Sequence, residues 1–101
     1  MTKADIVDRV AAGTGLTKLE TEAVIEGFFN TVITSLKEGH GIEIRGFGTF
    51  KVKKKNSRMA RNPKSGQQVY VPDHFVPTFK FSKEFKVIVD KGMKLNKVSE
   101  N

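Results

Sequence analysis

The chain has 101 residues, enough for one domain whose core, built from a single copy, would be modest. Its 18 Lys and Arg against 11 Asp and Glu leave a net charge of +7, a statement about partners before it is one about fold. There is no cysteine, which excludes a disulfide framework, a thiolate metal site and a thiol nucleophile; no stretch reads as a secretory leader or nears a bilayer-spanning length, so the expectation is a cytoplasmic protein.

Thr2 followed by Asp5 reads as a helix start, and Ile6, Val7, Val10 and Ala11 recur at helical spacing until Gly13 and Gly15. Thr17 and Glu20 form a capping-box pattern ahead of a second, longer helix with Ala23, Val24, Phe28, Val32, Ile33 and Leu36 along one side. Ile25 and Phe29 widen that stripe beyond what one short helix covers. The run ends at Gly39 and Gly41, and the period then changes to alternation, with Ile42 and Ile44 on one face of a strand and Glu43 and Arg45 on the other.

Phe50 and Val52 resume the alternation, but from Lys53 to Gln68 the only apolar residues besides proline and glycine are Met59 and Ala60, so this stretch cannot pack on a core. Asn62-Pro63-Lys64-Ser65-Gly66 is a turn signal at its middle. Strand character returns through Val69, Val71, Phe75, Pro77, Phe79 and Phe81. Folding about the turn pairs residues whose numbers sum to roughly 128, which sets Phe50 against Thr78 and Phe79. The polar part then forms a two-stranded arm projecting about 25 Å at ~3.3 Å per residue. Ser82 caps a last short helix with Phe85, Ile88 and Val89, followed by a polar tail. The division is a helical body over 1–40, sheet and arm over 41–81, a C-terminal helix over 82–90 and a tail over 91–101.

The excess charge has one address. Lys51, Lys53, Lys54, Lys55, Arg58, Arg61 and Lys64 lie in a segment with no acid, and the rest of the chain balances 11 bases against 11 acids.

The stretch RGFGTF, residues 45–50, shares its opening letters with the strand on which RNA-recognition modules stack bases. Those modules need alternate aromatics on one open face, whereas Phe47 and Phe50 are three apart with Thr49 at the alternate position. Gly46 and Gly48 suggest a tight turn or bulge that lets both rings face inward as core aromatics.

Two amphipathic helices, GFGTF at 46–50, a basic hairpin with Arg61-Asn62-Pro63 and Gly66, and VPTFKFSKEFK at 76–86 together resemble the bacterial histone-like family of HU and integration host factor, across residues 1–90. The resemblance implies an α+β fold: an intertwined dimer with a helical body and two β-ribbon arms that reach around DNA in the minor groove. It places Phe28, Phe29, Val32, Phe47, Phe50 and Phe79 in the dimer core. It implies that Lys51, Lys53, Lys54, Lys55 and Lys64 neutralise phosphates and release counterions, and that Arg58 and Arg61 enter or line the minor groove, the simpler reading being a phosphate contact. Pro63, beside Asn62, is implied to be a wedge between base pairs; the general account of minor-groove benders includes integration host factor and HU and names proline among the wedges. On sequence grounds alone it is a turn former. Lys3, Lys80, Lys83 and Lys86 match basic positions on the body flank, and Gly46 either admits a phosphate close to the main chain or serves conformation alone.

The implied partner is double-stranded DNA bound largely without sequence preference, in the nucleoid, by a homodimer, with no cofactor, metal, membrane or small-molecule substrate. The returning strand departs from the family in being uncharged or acidic from Gln67 to Phe75, with Gln68, Tyr70, Asp73 and His74, which suggests weaker binding or a preference for bent or nicked DNA. Tyr70 and Phe75 read as packing at the arm's base or as sugar contacts. A single-strand or RNA binder stacking bases on Phe47 and Tyr70 is the alternative, and a hairpin docking on an acidic protein is a third reading. An enzyme is not expected: His40 and His74 have neither a cysteine partner nor metal-ligand spacing.

Overall fold

The computed structural model describes residues 1–100, with side chains for residues 1–97. In chain order it comprises α1 (Lys3–Thr14), α2 (Lys18–Lys37), β1 (Ile42–Ile44), β2 (Gly48–Lys55), β3 (Arg58–Arg61), β4 (Gln68–Val71), β5 (His74–Phe81) and α3 (Lys83–Glu100).

Both early helices begin with the reciprocal bonding of a capping box. The Thr2 hydroxyl accepts from the Asp5 amide and the Asp5 carboxylate from the Thr2 amide; Thr17 and Glu20 repeat the arrangement. Gly15, at φ 78°, ends α1 in the left-handed region and donates to the Ala11 carbonyl. The α1–α2 hairpin buries Val7, Ala11 and Thr21, and the Thr21 hydroxyl is satisfied by donating to the Thr17 carbonyl at 2.8 Å. Ion pairs Lys3–Glu26 and Lys18–Asp8 tie the two helices together at the surface.

Strands β1, β2 and β5 form an antiparallel sheet in that order, and β3 and β4 form a separate two-stranded ribbon. Partner numbers sum to 129 in both the β2–β5 and β3–β4 pairings, so Phe50 faces Phe79 and Arg61 faces Gln68. The expected register was within one residue. The arm is not one continuous ladder, however: pairing lapses at Asn56–Ser57 and Pro72–Asp73 and resumes in the same register. Pro72 has no amide hydrogen to donate, and across the lapse the Ser57 amide donates to the Asp73 carboxylate. Pro77 is tolerated because β5 is an edge strand.

Arg45, Gly46 and Phe47 make the turn between β1 and β2, closed by the Phe47 amide donating to the Ile44 carbonyl at 2.9 Å. Gly46 supplies the positive φ of 80° at the third turn position, as a type II turn requires. Gly48 serves differently: a Cβ there would lie 2.6 Å from the Lys80 carbonyl oxygen and 2.4 Å from the Phe79 ring. Around this glycine five rings converge, with centroid distances of 5.6 Å for Phe47–Phe79, 4.6 Å for Phe50–Phe79, 4.8 Å for Phe79–Phe81, 5.2 Å for Phe47–Phe85 and 4.6 Å for Phe81–Phe85. Phe47 and Phe50 thus both turn onto Phe79.

One boundary is corrected. The C-terminal helix does not stop near residue 90 before a polar tail; α3 runs to Glu100. A lone Gly92 costs a helix only about 1 kcal/mol, and the segment is otherwise rich in Lys, Met and Leu, with an Asp90–Lys94 ion pair one turn apart at 3.0 Å.

The single chain is open. It exposes 8671 Å², whereas a compact monomer of its mass would expose about 5,700 Å². Its radius of gyration is 19.3 Å against about 13 Å for a compact domain of this length. Both the arm and an uncovered apolar face contribute: Val24, Phe28 and Ile33 on α2 are exposed, as are Ile88 and Leu95 on α3.

Candidate nucleic-acid interface

Strand alternation sorts the basic residues of β2 by face. Phe50, Val52 and Lys54 share a face with Phe79, Pro77 and Phe75 opposite them. That face lines an apolar groove completed by Val32, Ile33 and Leu36 of α2. Lys51, Lys53 and Lys55 occupy the other face with Lys80, and all four are exposed. Opposite these lysines stand Thr78, Val76 and His74 rather than further Lys or Arg. A neutral returning strand therefore avoids like charges directly across the ladder, which are destabilising.

The lysine row continues onto the body. Lys80, Lys83 and Lys86 border a shallow hollow with Arg45, Gly46 and Gly48, and Glu43 and Glu84 also line it. The Ser82 amide donates to the Phe47 carbonyl at 2.9 Å, and the Ser82 hydroxyl caps α3 by accepting from the Phe85 amide at 3.1 Å. These bonds fix the start of α3 against the Gly46 turn. The structure thereby brings Lys51, Lys53, Lys55, Lys80, Lys83, Lys86 and Gly46 into one track. Lys54 is turned to the apolar side.

At the arm's end, Asn62 organises the turn with three groups: its side-chain oxygen accepts from the Lys64 amide at 2.9 Å, its carbonyl from the Gly66 amide at 2.8 Å, and its amide donates to the Gln67 carbonyl at 2.8 Å. Gly66 supplies φ 70°. Pro63 sits exposed at the apex with Lys64 beside it. Arg58 and Arg61, three apart in β3, fall on opposite faces of the ribbon, Arg61 with the exposed Met59 and Tyr70, Arg58 with Ala60 and Val71.

Lys3 stands apart from the track, held by the Glu26 carboxylate, whose hydrogen bond and charge raise the Lys3 pKa above its ordinary value. Sequence reasoning missed three structural contributors. Gly48 was visible within GFG, but its close packing depends on Phe79 and Lys80 arriving from a distant strand. Pro72 carried its own signal as a residue without an amide hydrogen. Asp73 stood out only as an acid in a basic arm. Among the described residues no cluster of His, Asp or Glu is placed to hold a metal, and no helix is long and apolar enough to cross a membrane.

The family of bacterial DNA-binding proteins matches residues 1–90. The chain is 39% identical over 99 residues to integration host factor subunit beta of Nitrosomonas europaea, covering 97% of this chain and 94% of that one. It is 36% identical to DNA-binding protein HU of Buchnera aphidicola, covering 85% and 94%. A structure of Anabaena HU in a DNA cocrystal superposes with a TM-score of 0.82 at 32% identity, covering 88% of this chain and 97% of that one. With the basic ribbon and the helical body that carries it, these likenesses establish that the chain belongs to the bacterial DNA-binding protein family of HU and integration host factor.

Proposed function

We propose that this protein is a homodimeric architectural protein of the nucleoid that grips double-stranded DNA between two arms, largely without sequence preference, and bends it by inserting Pro63. The family is one of DNA-binding architectural proteins and not of enzymes. The observation that carries the reading is the exposed lysine track on one face of β2 and β5, leading from the body toward an arm that ends in an exposed proline. Phosphate neutralisation releases condensed counterions and so gives affinity to any sequence. A rigid apolar ring at the tip then acts where point charges cannot, between stacked base pairs, at a cost of a few kcal/mol offset by the additional body contacts that bent DNA permits.

Pre-bent or nicked duplexes lower that cost, so they are the favoured ligands. Dimerisation follows from the uncovered apolar surface: Val32 on α2 lines a groove with Phe50 and Phe79, Phe28 and Phe29 of the same helix are exposed, and a second copy buries both. Arg58 and Arg61, on opposite ribbon faces, serve different surfaces, one following the groove and the other a phosphate strand.

The test is end-to-end energy transfer across a doubly labelled duplex at fixed salt, with wild type and Pro63→Ala. Bending by wild type that is lost in the variant, with binding retained, supports the wedge. Equal bending by both proteins removes Pro63 from the mechanism, and binding without bending reduces the protein to a counterion-releasing coat.

A further inference from the structure

We propose that the length of α3, past the end of the family match, is a second DNA-phosphate track that extends the footprint of the body. The inference rests on the DNA-binding reading above and adds a surface to it. At 100° per residue, Lys83, Lys86, Lys94 and Lys97 fall within an arc of about 80° on one side of the helix, and the stripe runs for about 21 Å at 1.5 Å per residue. Phe85, Ile88, Val89 and Leu95 lie on the opposite side. The helix is not free to roll, because Phe85 is wedged against Phe47 and Phe81, with centroids 5.2 Å and 4.6 Å away. That contact sets Phe85 against the body and the lysine stripe on the side away from it, while Ile88 and Leu95 further along stay exposed in the single chain.

The stripe also begins inside the interface. Lys83 and Lys86 border the same hollow as Gly46 and Lys80, so Lys94 and Lys97, two to three turns further on and equally exposed, prolong one row of charge rather than start another. The family model ends at residue 90, whereas the likeness to the Nitrosomonas europaea subunit runs over 99 residues, so Lys94 and Lys97 lie beyond the family model but within the span of that likeness. Duplex DNA presents about one negative charge per 1.7 Å of axis, and a straight row of ammonium groups along a rigid helix matches such a polyanion.

Asp90 lies in the stripe and accepts from Lys94 at 3.0 Å, with both side chains mostly exposed. An exposed pair of this kind is weak and screened by salt, so a phosphate can take over Lys94. Asp90 then acts as a local brake on the track.

The experiment measures the salt dependence of binding to a duplex longer than the arm-and-body footprint, for wild type, Lys94→Gln/Lys97→Gln, Lys51→Gln/Lys53→Gln, and Lys91→Gln, which lies off the stripe. The log–log slope should flatten by about 0.9 for each phosphate contact removed, so by close to 2 per chain in the α3 double variant. Lys91→Gln should leave it unchanged, and Asp90→Asn should tighten binding at low salt. Circular dichroism of each variant establishes that α3 remains helical. If the α3 double variant keeps the wild-type slope while Lys51→Gln/Lys53→Gln flattens it, the second track is refuted and the DNA reading stands. If wild type fails to bind duplex DNA, or neither double variant alters the slope, the DNA reading falls and the α3 track falls with it.

Discussion

Replacing Gly48 with Ala separates two reasons for glycine that lie two residues apart. A Cβ at Gly48 would sit 2.4 Å and 2.8 Å from Phe79 ring atoms and 2.6 Å from the Lys80 carbonyl oxygen. An ordinary contact begins near 3.4 Å, so the overlap is close to 1 Å, and one of the obstructing atoms is backbone. The Phe79 ring is held by Phe47, Phe50 and Phe81, while the Lys80 carbonyl cannot retreat without opening the pairing of Thr49 with Lys80. Overpacking of a well-filled site typically costs about 1–3 kcal/mol, and the upper half of that range applies here because two neighbours must move together. At about 4–8 °C per kcal/mol, the midpoint should fall by some 10–20 °C. Gly46→Ala has open space but a φ of 80°, so it should lose only the left-handed penalty of about 1–2 kcal/mol. Gly13→Ala, inside α1 with nothing near its added methyl, should gain about 0.5–1 kcal/mol. Thermal and urea unfolding at one protein concentration compare all three, since a dimer's stability depends on concentration. A Gly48→Ala variant no less stable than Gly46→Ala would refute the packing described around the five rings.

Two further outcomes follow from the surface carboxylates. The Glu20 pKa is lowered chiefly by the Thr17 backbone amide and then by its hydroxyl; a group with a depressed folded pKa contributes stability that is present above its unfolded value and is lost as pH falls through the folded one. Glu20→Gln should therefore lessen the dependence of stability on pH across the acidic range, seen in urea midpoints measured from neutral pH to below about pH 4, and an unaltered acid limb would disprove the contribution. Glu26→Gln frees Lys3 from its ion pair, and filter binding over a salt series should show tighter binding with a slope steeper by about 0.9 as Lys3 gains a phosphate; no change in either would place Lys3 outside the interface.

Most of the fold could be read from local chemistry, because its signals are local. Thr2 with Asp5, Thr17 with Glu20, and Gly15 and Gly39 act within one helical turn. Asn62 to Gly66 sets the hairpin, and with it a register correct to one residue over the whole arm. What escaped reading depends on contacts between distant segments. Gly48 and Phe79 are 31 positions apart, and no pattern within GFGTF distinguishes the glycine that turns from the glycine that makes room. The extent of α3 was concealed for another reason: a polar, lysine-rich sequence reads as a solvated tail, although Lys, Met and Leu are all good helix formers. The same alternation that identified the strands also divides the lysines, with Lys54 on the apolar side and Lys51, Lys53 and Lys55 on the other, but only the pairing with β5 adds Lys80 to the row.

In the proposed wedge mechanism, force at the tip must reach the body, and its path crosses the lapse between the two sheets of the arm. On the body side, β2 and β5 pair over eight residues from Gly48 to Lys55, and on the tip side β3 and β4 pair over four. Between them Pro72 cannot donate, and the Asp73 carboxylate accepts the Ser57 amide instead of a carbonyl on the facing strand. A side chain thus replaces part of the missing ladder. The register is identical on both sides of the lapse, so the pairing resumes without a slip. If the arm follows DNA of any sequence, as proposed, such a joint would suit grooves whose width and flexibility vary from site to site. The one acid in the arm thus has a backbone role: although its charge would oppose the proposed phosphate contacts, its carboxylate accepts the Ser57 amide where the ladder lapses.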